Sequence, residues 1–294
     1  MPKIAIITRT LNRPLLLERA ARSIINQTFR DFVWVIVNDG EQKPDDAIIS
    51  DFPQDKIFMI RNSQPVGMEA AANMGLKASK SEYVIIHDDD DSWHPEFLEK
   101  TTSYLDKLSP SNIQKGVITH NMVKTEIIEG NKIKLISKQP FNTWLTEVSL
   151  YRMLAGNTFP PISFLYRRKV LEEIGYYDEC LPVLGDWDFN IRFLMKYDIG
   201  LIPEVLAYTH QRAGFLTNTD VGRNESHKYY DNLLRNRYLR KDIGNGTIGV
   251  GYYMNVVREL TFPSFKHEID NIKSWTNILP SFIRKFLDKL KKRN

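Results

Sequence analysis

The feature that most constrains this chain is a run of four consecutive aspartates, Asp88–Asp91, directly after the apolar segment Tyr83–Ile86. The apolar segment is typical of a buried strand, and Pro95 beyond the run is typical of a helix start. Four like charges at the end of a buried strand repel one another unless a cation lies among them. Oxygen ligands suit Mg²⁺ or Mn²⁺, commonly held by one or two carboxylates plus substrate phosphates. The alternative is a solvated acidic turn that caps the next helix.

The size and composition of the chain are ordinary for a soluble globular protein. Its 294 residues are 42% hydrophobic and 26% charged, which suits one large domain or a domain with an appendage. No apolar run approaches the roughly 20 residues of a membrane span, and the strand-like start at Lys3–Ile7 lacks a signal-peptide pattern. Cys180 is the single cysteine, so no intrachain disulfide can form and we expect a cytoplasmic protein.

Positive charge is concentrated at the C-terminus. The formal net charge is +4, and residues 282–294 contain six Lys or Arg residues against one Asp. We therefore expect no nucleic-acid partner. Apolar residues at helical spacing begin at Ile278, so residues 278–294 predict a basic amphipathic helix. Such a helix either lies on the inner face of a membrane or packs on the protein's own core.

The first 115 residues alternate strands with helices. Strands are predicted over 3–8, 33–37, 56–61 and 83–86, with helices over 14–25 and 67–78 between them. This order implies a mostly parallel, Rossmann-like sheet with helices on both faces, and ligands bind such sheets outside the carboxyl ends of the strands. We expect three polar clusters to converge there: Thr8–Thr10, Asn38–Asp39 and Asp88–Asp91.

No glycine-rich phosphate loop accompanies this predicted sheet. The first strand is not followed by G-x-G-x-x-G, and G-x-x-x-x-G-K-[ST] does not occur anywhere in the chain. A bound diphosphate would therefore have to be neutralised in another way. The aspartate run together with a divalent metal is the candidate.

The pattern changes after residue 115. A strand over 117–123 and a turn at 129–131 predict a hairpin. A helix over 142–154, a strand over 162–166, a short helix over 168–174, a late strand over 206–210 and mostly helical structure from 225 are then predicted.

Four blocks, taken in order, resemble a family 2 glycosyltransferase with the GT-A type fold. They are IITRTLNRPLLLERAARSIINQTFRDF, VIVNDG, YVIIHDDDDSWHPEFLE and IGYYDECLPVLGDWDFNIRF. The resemblance covers roughly residues 1–215. It implies an α/β GT-A domain with a nucleotide-sugar half over 1–115 and an acceptor half over 116–215, and we expect residues 216–294 to form a helical C-terminal extension.

The resemblance also implies roles for individual residues. Nucleotide contacts would come from Arg9, Thr10, Arg13, Asp39, Asp88 and Asp89, with Asp39 receiving the edge of the base. Asp90, Asp88 and His210 would lie at the metal, with Asp90 binding it directly. Asp186 matches the catalytic base, and Trp187 and Asp188 are candidates for acceptor contacts. The structural alternatives are a helix cap for Asp186 and a hydrogen-bonded structural histidine for His210.

The chain departs from the family pattern at three places. Arg9-Thr10-Leu11 stands where Pro-Thr-Tyr is frequent, so the aromatic residue that stacks on the base is missing. Ala71-Ala72-Asn73 stands where Ala-Arg-Asn is frequent, so the lost basic contact would fall to Arg9 or Arg13. Gly185-Asp186 stands where Glu-Asp is usual, so the base lacks its neighbouring carboxylate.

Together these expectations describe a metal-dependent inverting glycosyltransferase. A UDP-sugar is the expected donor, and the acceptor is a hydroxyl of a saccharide or lipid-linked saccharide, as in the synthesis of cell-surface polysaccharide. Mn²⁺ or Mg²⁺ would neutralise the leaving diphosphate while Asp186 accepts the acceptor proton. The alternatives are a non-catalytic nucleotide-sugar binding module and a sugar nucleotidyltransferase.

Overall fold

The computed structural model describes residues 1–40, 52–130, 132–213 and 221–261. The chain divides into two compact units, Met1–Leu234 and Arg235–Asn294. No helix in the described part is both long and apolar enough to cross a membrane. The predicted basic helix over 278–294 lies outside the described residues. The boundary predicted after residue 215 stays a prediction, because residues 214–220 lie outside them too.

The elements alternate as predicted in the first part of the chain. The strands are β1 Ile4–Thr10, β2 Phe32–Asn38, β3 Ile57–Arg61, β4 Tyr83–Ile86, β5 Ser92–Trp93, β6 Gln114–Glu129, β7 Lys132–Pro140, β8 Phe164–Arg167 and β9 Asp198–Arg212. The α-helices are α1 Pro14–Ile25, α2 Met68–Ala78, α3 Phe97–Asp106, α4 Leu150–Ala155, α5 Leu171–Ile174, α6 Gly185–Leu194, α7 Val221–Gly244 and α8 Val250–Thr261. Short 3₁₀ turns cover Gln54–Lys56, Pro161–Ser163 and Arg168–Val170.

The nine strands of the described residues form one sheet in the order β3-β2-β1-β4-β8-β6-β9-β5, with β7 paired to β6. The strands β3, β2, β1 and β4 are parallel to one another. β8 joins β4 and β6 antiparallel, and β9 runs parallel to β6. Because β1, β2 and β4 are parallel neighbours, their carboxyl ends lie at one edge. The predicted α/β architecture is confirmed, and β6 pairs antiparallel with β7, as the predicted hairpin requires.

The core consists of apolar side chains on both faces of the parallel strands. On one face, Trp34 of β2 packs against Phe52, with 5.1 Å between ring centroids, and Trp93 stacks on Phe97. On the other face, α2 approaches β1 so closely that a Cβ added at Gly75 would lie 2.5 Å from Cγ2 of Ile7. This close packing fixes α2 against the strands that carry the polar clusters.

The helix predicted over 142–154 is wrong over its first half. Only Leu150–Ala155 is helical, and it begins where the Ser149 side chain accepts a hydrogen bond from Arg152 N. Asn142 instead links two other segments: its Oδ1 accepts from Asn121 N at 2.7 Å and its Nδ2 donates to Thr158 O at 3.2 Å. Apolar periodicity in the sequence does not reveal such a bridge. The strands around 117–123 and 206–210 are also longer than predicted.

The close approach of α2 to β1 gives a stability prediction. Gly75→Ala should lower the free energy of unfolding by about 1–2 kcal/mol, because the new methyl group collides with Ile7 and overpacks the interface. Denaturant unfolding measures the change. Gly156→Ala is the matched control, because its added Cβ meets no atom within 4 Å. Equal stabilities for the two variants would contradict the tight packing of α2.

Candidate active site

A cavity of about 420 Å³ lies at the carboxyl ends of β1, β2 and β4. Polar side chains from all three predicted clusters line it, namely Arg9, Thr10, Asp39, Asp88, Asp89 and Asp90, and Arg13 lines it as well. Pro182 and Val183, from the loop before α6, also line the cavity. The convergence that the topology predicts is therefore confirmed.

Asp88 forms a bidentate ion pair with Arg9. Arg9 Nε donates to Oδ1 at 2.7 Å and Arg9 Nη2 donates to Oδ2 at 3.2 Å. Burial by itself would raise the pKa of Asp88, but the charge and hydrogen bonds of Arg9 outweigh it and lower that pKa. Asp88 therefore stays ionised against a guanidinium of the first strand.

Asp89 and Asp91 are buried more deeply than Asp88. Asp89 accepts a hydrogen bond from Thr10 Oγ1 at 2.7 Å, and burial followed by the charge of Asp90 raises its pKa to about 7. Asp91 accepts from His210 N at 3.1 Å, and burial raises its pKa well above the usual range. These two carboxyls fix the loop to β1 and β9.

Asp90 is the member of the run best placed to bind a ligand. Its Oδ2 receives Arg13 Nη1 at 3.3 Å and Arg212 Nη1 at 3.5 Å. Its Oδ1 has no hydrogen-bond partner among the described residues, and its side chain is 18% exposed. One carboxylate oxygen thus remains available beside two guanidinium groups.

Whether a divalent metal fits this cavity depends on the side chains that are available as ligands. The described residues contain no group of three or more His, Cys, Asp or Glu side chains arranged to hold a metal ion. A complete protein cage is therefore not formed by this part of the chain. Oδ1 of Asp90, with Asp88 nearby, fits the other mode, in which one or two carboxylates act together with substrate phosphates. The cations that already neutralise the run are arginines.

His210 does not fit the predicted position of a metal ligand. Its Nε2 is hydrogen-bonded to Ser92 Oγ at 2.7 Å and its Nδ1 to Glu126 Oε1 at 2.5 Å, so both ring nitrogens are occupied. Glu126 in turn pairs with Arg19, whose other nitrogen donates to the carbonyl of Asp90. The prediction for His210 is corrected: it belongs to a buried chain of contacts that holds the aspartate loop.

Asp186 lies at the start of α6 with both carboxylate oxygens engaged. Oδ2 accepts from Asn157 Nδ2 at 2.7 Å, and Oδ1 accepts from the neighbouring backbone N of Trp187 at 2.8 Å. Burial raises the pKa of Asp186, and the nearby charge of Asp88 adds to the rise. Asn190 fixes the amide of Asn157 by donating to its Oδ1. The carboxylate is thus held in one orientation with an increased affinity for a proton.

The predicted acceptor contacts of Trp187 and Asp188 are wrong. Trp187 is 2% exposed and its Nε1 donates to Met153 O at 2.7 Å, so its ring belongs to the core. Asp188 is 4% exposed and accepts from Arg192 Nε at 2.7 Å. Both point inward because the helical turn that exposes part of Asp186 buries its two successors.

Asp39 shapes the cavity wall by ordering the loop before α2. Its Oδ1 accepts from Asn62 Nδ2 and from Val66 N, both at 2.8 Å, and its Oδ2 accepts from Gly67 N at 3.0 Å. Gly67 has φ +95°, a conformation that favours glycine. The carboxylate keeps part of its acceptor capacity, and its predicted contact with a nucleotide base stays a prediction.

Comparison with known proteins assigns this arrangement to a family. Residues 5–175, more than half of the chain, match Glycosyl transferase family 2. The chain belongs to glycosyl transferase family 2. A glycosyltransferase of Nostoc sp., alr2836, is 32% identical over 282 residues, covering 90% of this chain and 82% of the relative. Bacillus subtilis YwdF is 26% identical over 234 residues, covering 79% and 82%. Both relatives are described as uncharacterized glycosyltransferases.

Solved structures confirm the GT-A fold. The complex of S. aureus TarS 1–349 with UDP-GlcNAc matches with a TM-score of 0.59 and 19% identity, covering 78% of this chain and 65% of that chain. This chain thus spans less than two thirds of the TarS fragment. At this level of identity the likeness shows the fold alone.

Glu69 is a buried carboxyl beside the site of this family 2 member, and the sequence analysis did not predict its position. It lies in the first turn of α2, is 6% exposed, and places Oε2 3.3 Å from Arg9 Nη1. Burial raises its pKa to about 7; Arg9 opposes the rise, and the charges of Asp186 and Asp88 add to it. An acidic residue in the first turn of an alanine-rich helix is typical of an ordinary helix-dipole partner. Nothing in the local sequence therefore singles it out.

The raised pKa of Glu69 predicts a pH-dependent stability difference. A carboxyl with a folded-state pKa of about 7 and a usual value of 4.5 stabilises the fold below pH 4.5, and this contribution is lost as the pH rises through 7. Glu69→Gln does not titrate, so the variant does not lose stability at this position as the pH rises. The melting temperature of the variant relative to wild type should therefore increase from pH 5 to pH 8, by the equivalent of up to about 3 kcal/mol.

Thermal unfolding at several pH values measures this difference. The exposed Glu147→Gln is the control, and its melting temperature should follow that of the wild type at every pH. A Glu69→Gln curve parallel to the wild-type curve would show that Glu69 titrates like an exposed carboxyl.

Proposed function

We propose that this family 2 glycosyltransferase moves a sugar from a UDP-sugar to a hydroxyl of a saccharide or lipid-linked saccharide, with inversion at the anomeric carbon. The observation that carries the proposal is that the aspartate loop borders the cavity while Asp186 lies within electrostatic reach of Asp88 in that loop. Asp90, with a free carboxylate oxygen beside Arg13 and Arg212, borders the cavity. Asp186, whose pKa is raised, lies near the Arg9–Asp88 pair.

The choice of UDP rests on the TarS likeness, because one of the matching TarS structures is a complex with UDP-GlcNAc. In this chain, the expected base-side contacts are Thr10, Arg9 and Asp39, all of which line the cavity. The missing aromatic at Leu11 leaves an apolar side chain, 46% exposed, to cover the base.

The leaving diphosphate carries negative charge that must be neutralised as it develops. Arg13 and Arg212, which share Oδ2 of Asp90, are placed to contribute, since a guanidinium can exchange a carboxylate for a phosphate. Asp90 and Asp88 are the residues that would hold Mn²⁺ or Mg²⁺. The metal would stabilise charge on the phosphate oxygens.

The acceptor hydroxyl must lose a proton as its oxygen attacks. The proton passes to the carboxylate of Asp186, the new bond forms between the acceptor oxygen and the anomeric carbon, and the bond to the diphosphate breaks. Attack from the side opposite the leaving group inverts the anomeric centre. Asn157 and the N–H of Trp187 hold the carboxylate in place for this step.

An exposed aromatic replaces Trp187 as the candidate for stacking on an acceptor sugar. Trp144 is 56% exposed, and the guanidinium of Arg152 lies 5.4 Å from its ring centroid. Arg152 belongs to α4, whose Met153 carbonyl accepts the indole N–H of Trp187. Trp144 therefore contacts α4, and α4 in turn contacts α6, the helix that carries the proposed base.

The nucleotide site gives the first functional prediction. In calorimetric titrations, UDP should bind at least about 10-fold more tightly with Mn²⁺ than without it, and dTDP and GDP more weakly. Asp90→Asn should abolish the metal effect, because the open carboxylate oxygen is lost. Asp55→Asn, at an exposed position, should keep it. Absence of nucleotide binding under every condition would refute the proposed function.

The base gives the second functional prediction. Asp186→Asn should lower the rate of transfer by about 10²–10⁴-fold, because the amide cannot accept the proton, and change UDP affinity less than about two-fold. UDP release and calorimetry measure the two effects. Asp188→Asn on the same helix is the control: it should lose stability through Arg192 but keep its rate per folded molecule. Full transfer by Asp186→Asn would remove Asp186 from the mechanism, whereas loss of transfer with intact binding excludes a purely binding module.

A further inference from the structure

Glu69 and Gly185 form a contact between α2 and the start of α6. A Cβ added at Gly185 would lie 2.5 Å from both Cδ and Oε1 of Glu69. The carboxylate of Glu69 therefore occupies the space where residue 185 would carry a side chain. The residue that follows this contact is Asp186.

The backbone does not require glycine at position 185. The glycines of the described residues with positive φ are Gly67, Gly130, Gly175 and Gly246, and Gly185 is not among them. Any side chain suits its backbone conformation, and the obstacle is the Glu69 carboxylate. The small residue at 185 and the acid at 69 are thus complementary.

The charges around Glu69 connect the two halves of the site. Arg9 of β1 donates to its Oε2, and Arg9 also holds Asp88 after β4. Asp186 of α6 and Tyr177 in the loop before it are its other titratable neighbours. Oε1 has no hydrogen-bond partner among the described residues. Glu69 therefore presents a carboxylate oxygen toward the backbone that carries the proposed base.

We propose that Glu69 is a positioning residue for Asp186: packed against Gly185, it holds the start of α6 and, in its ionised form, places a negative charge close to Asp186. The inference rests on the proposed transfer reaction and adds a second carboxylate to it. A neighbouring negative charge stabilises the protonated form of Asp186, which is the form that follows proton transfer from the acceptor. Arg9 limits this effect, because it neutralises part of the charge on Glu69.

The pH dependence of kcat/KM distinguishes the two roles, because a purely structural role of Glu69 would leave it unchanged. The test uses the full chain and the UDP-sugar that releases UDP fastest in a panel, with water or a saccharide as acceptor. Wild-type kcat/KM should rise with pH as Asp186 loses its proton, and its acid limb should lie above the pH at which an ordinary aspartate titrates. In Glu69→Gln, the limb should move to lower pH by about one unit, and the maximal rate should fall several-fold with little change in UDP affinity.

Relocating the carboxylate separates charge from packing. Glu69→Ala should show the shifted limb, and Gly185→Glu alone should lose activity, because its side chain collides with Glu69. The double variant Glu69→Ala/Gly185→Glu should recover most of the rate and return the limb toward the wild-type pH. Glu69→Ala/Gly185→Gln is the control, with the same bulk and no charge, and its limb should stay shifted.

Each outcome bears on one of the two claims. Transfer by the wild type with an unchanged profile and rate in Glu69→Gln would overturn the role of Glu69 and leave the proposed function intact. Equal behaviour of the two double variants, Glu69→Ala/Gly185→Glu and Glu69→Ala/Gly185→Gln, would likewise overturn it, since charge would not matter. Absence of UDP release by the wild type from every UDP-sugar would instead refute the proposed function, and this inference with it.

Discussion

The site depends on arginines from other elements, which pair with three of the four adjacent carboxyls. Arg9 of β1 donates hydrogen bonds to Asp88. Arg13, at the start of α1, donates to Asp89 and Asp90. Arg212 of β9 also donates to Asp90. Without these cations, the charges at the end of β4 would repel one another in a setting of low dielectric. The same contacts join three strand ends, so the electrostatic requirement of the aspartate run also builds the cavity.

The net charge of the cavity can stay nearly constant when a donor binds together with a divalent metal. A nucleoside diphosphate brings negative charge and a divalent metal brings positive charge, so the two together leave the balance nearly unchanged. Arg13 and Arg212 contact Asp90 at 3.3 and 3.5 Å, longer than the 2.7 Å between Arg9 and Asp88. The long contacts are the ones that a phosphate can replace at least cost, whereas the short pair is suited to remain.

The sequence was sufficient for the sheet and the position of the cavity, because strand order alone brings Arg9, Asp39 and Asp88 to one edge. It was insufficient where the direction of a side chain decides its role. Trp187 and Asp188 adjoin the proposed base, yet helix geometry turns both into the core. His210 has a ligand's chemistry, but Ser92 and Glu126 occupy both of its nitrogens. Such partners are distant in sequence and leave no local pattern.

The contact between Glu69 and Gly185 shows how a loss in one sequence block can be offset in another. Taken alone, Gly185 indicates a site that lacks a carboxylate, and Glu69 indicates a helix start with an acid in its first turn. In three dimensions the two features require each other, because the carboxylate fills the space that glycine leaves. A residue-by-residue comparison with a family pattern shows only that the carboxylate at position 185 is missing. The contact between α2 and α6 brings the Glu69 carboxyl next to the residue before Asp186, so the proposed second carboxyl comes from a different helix.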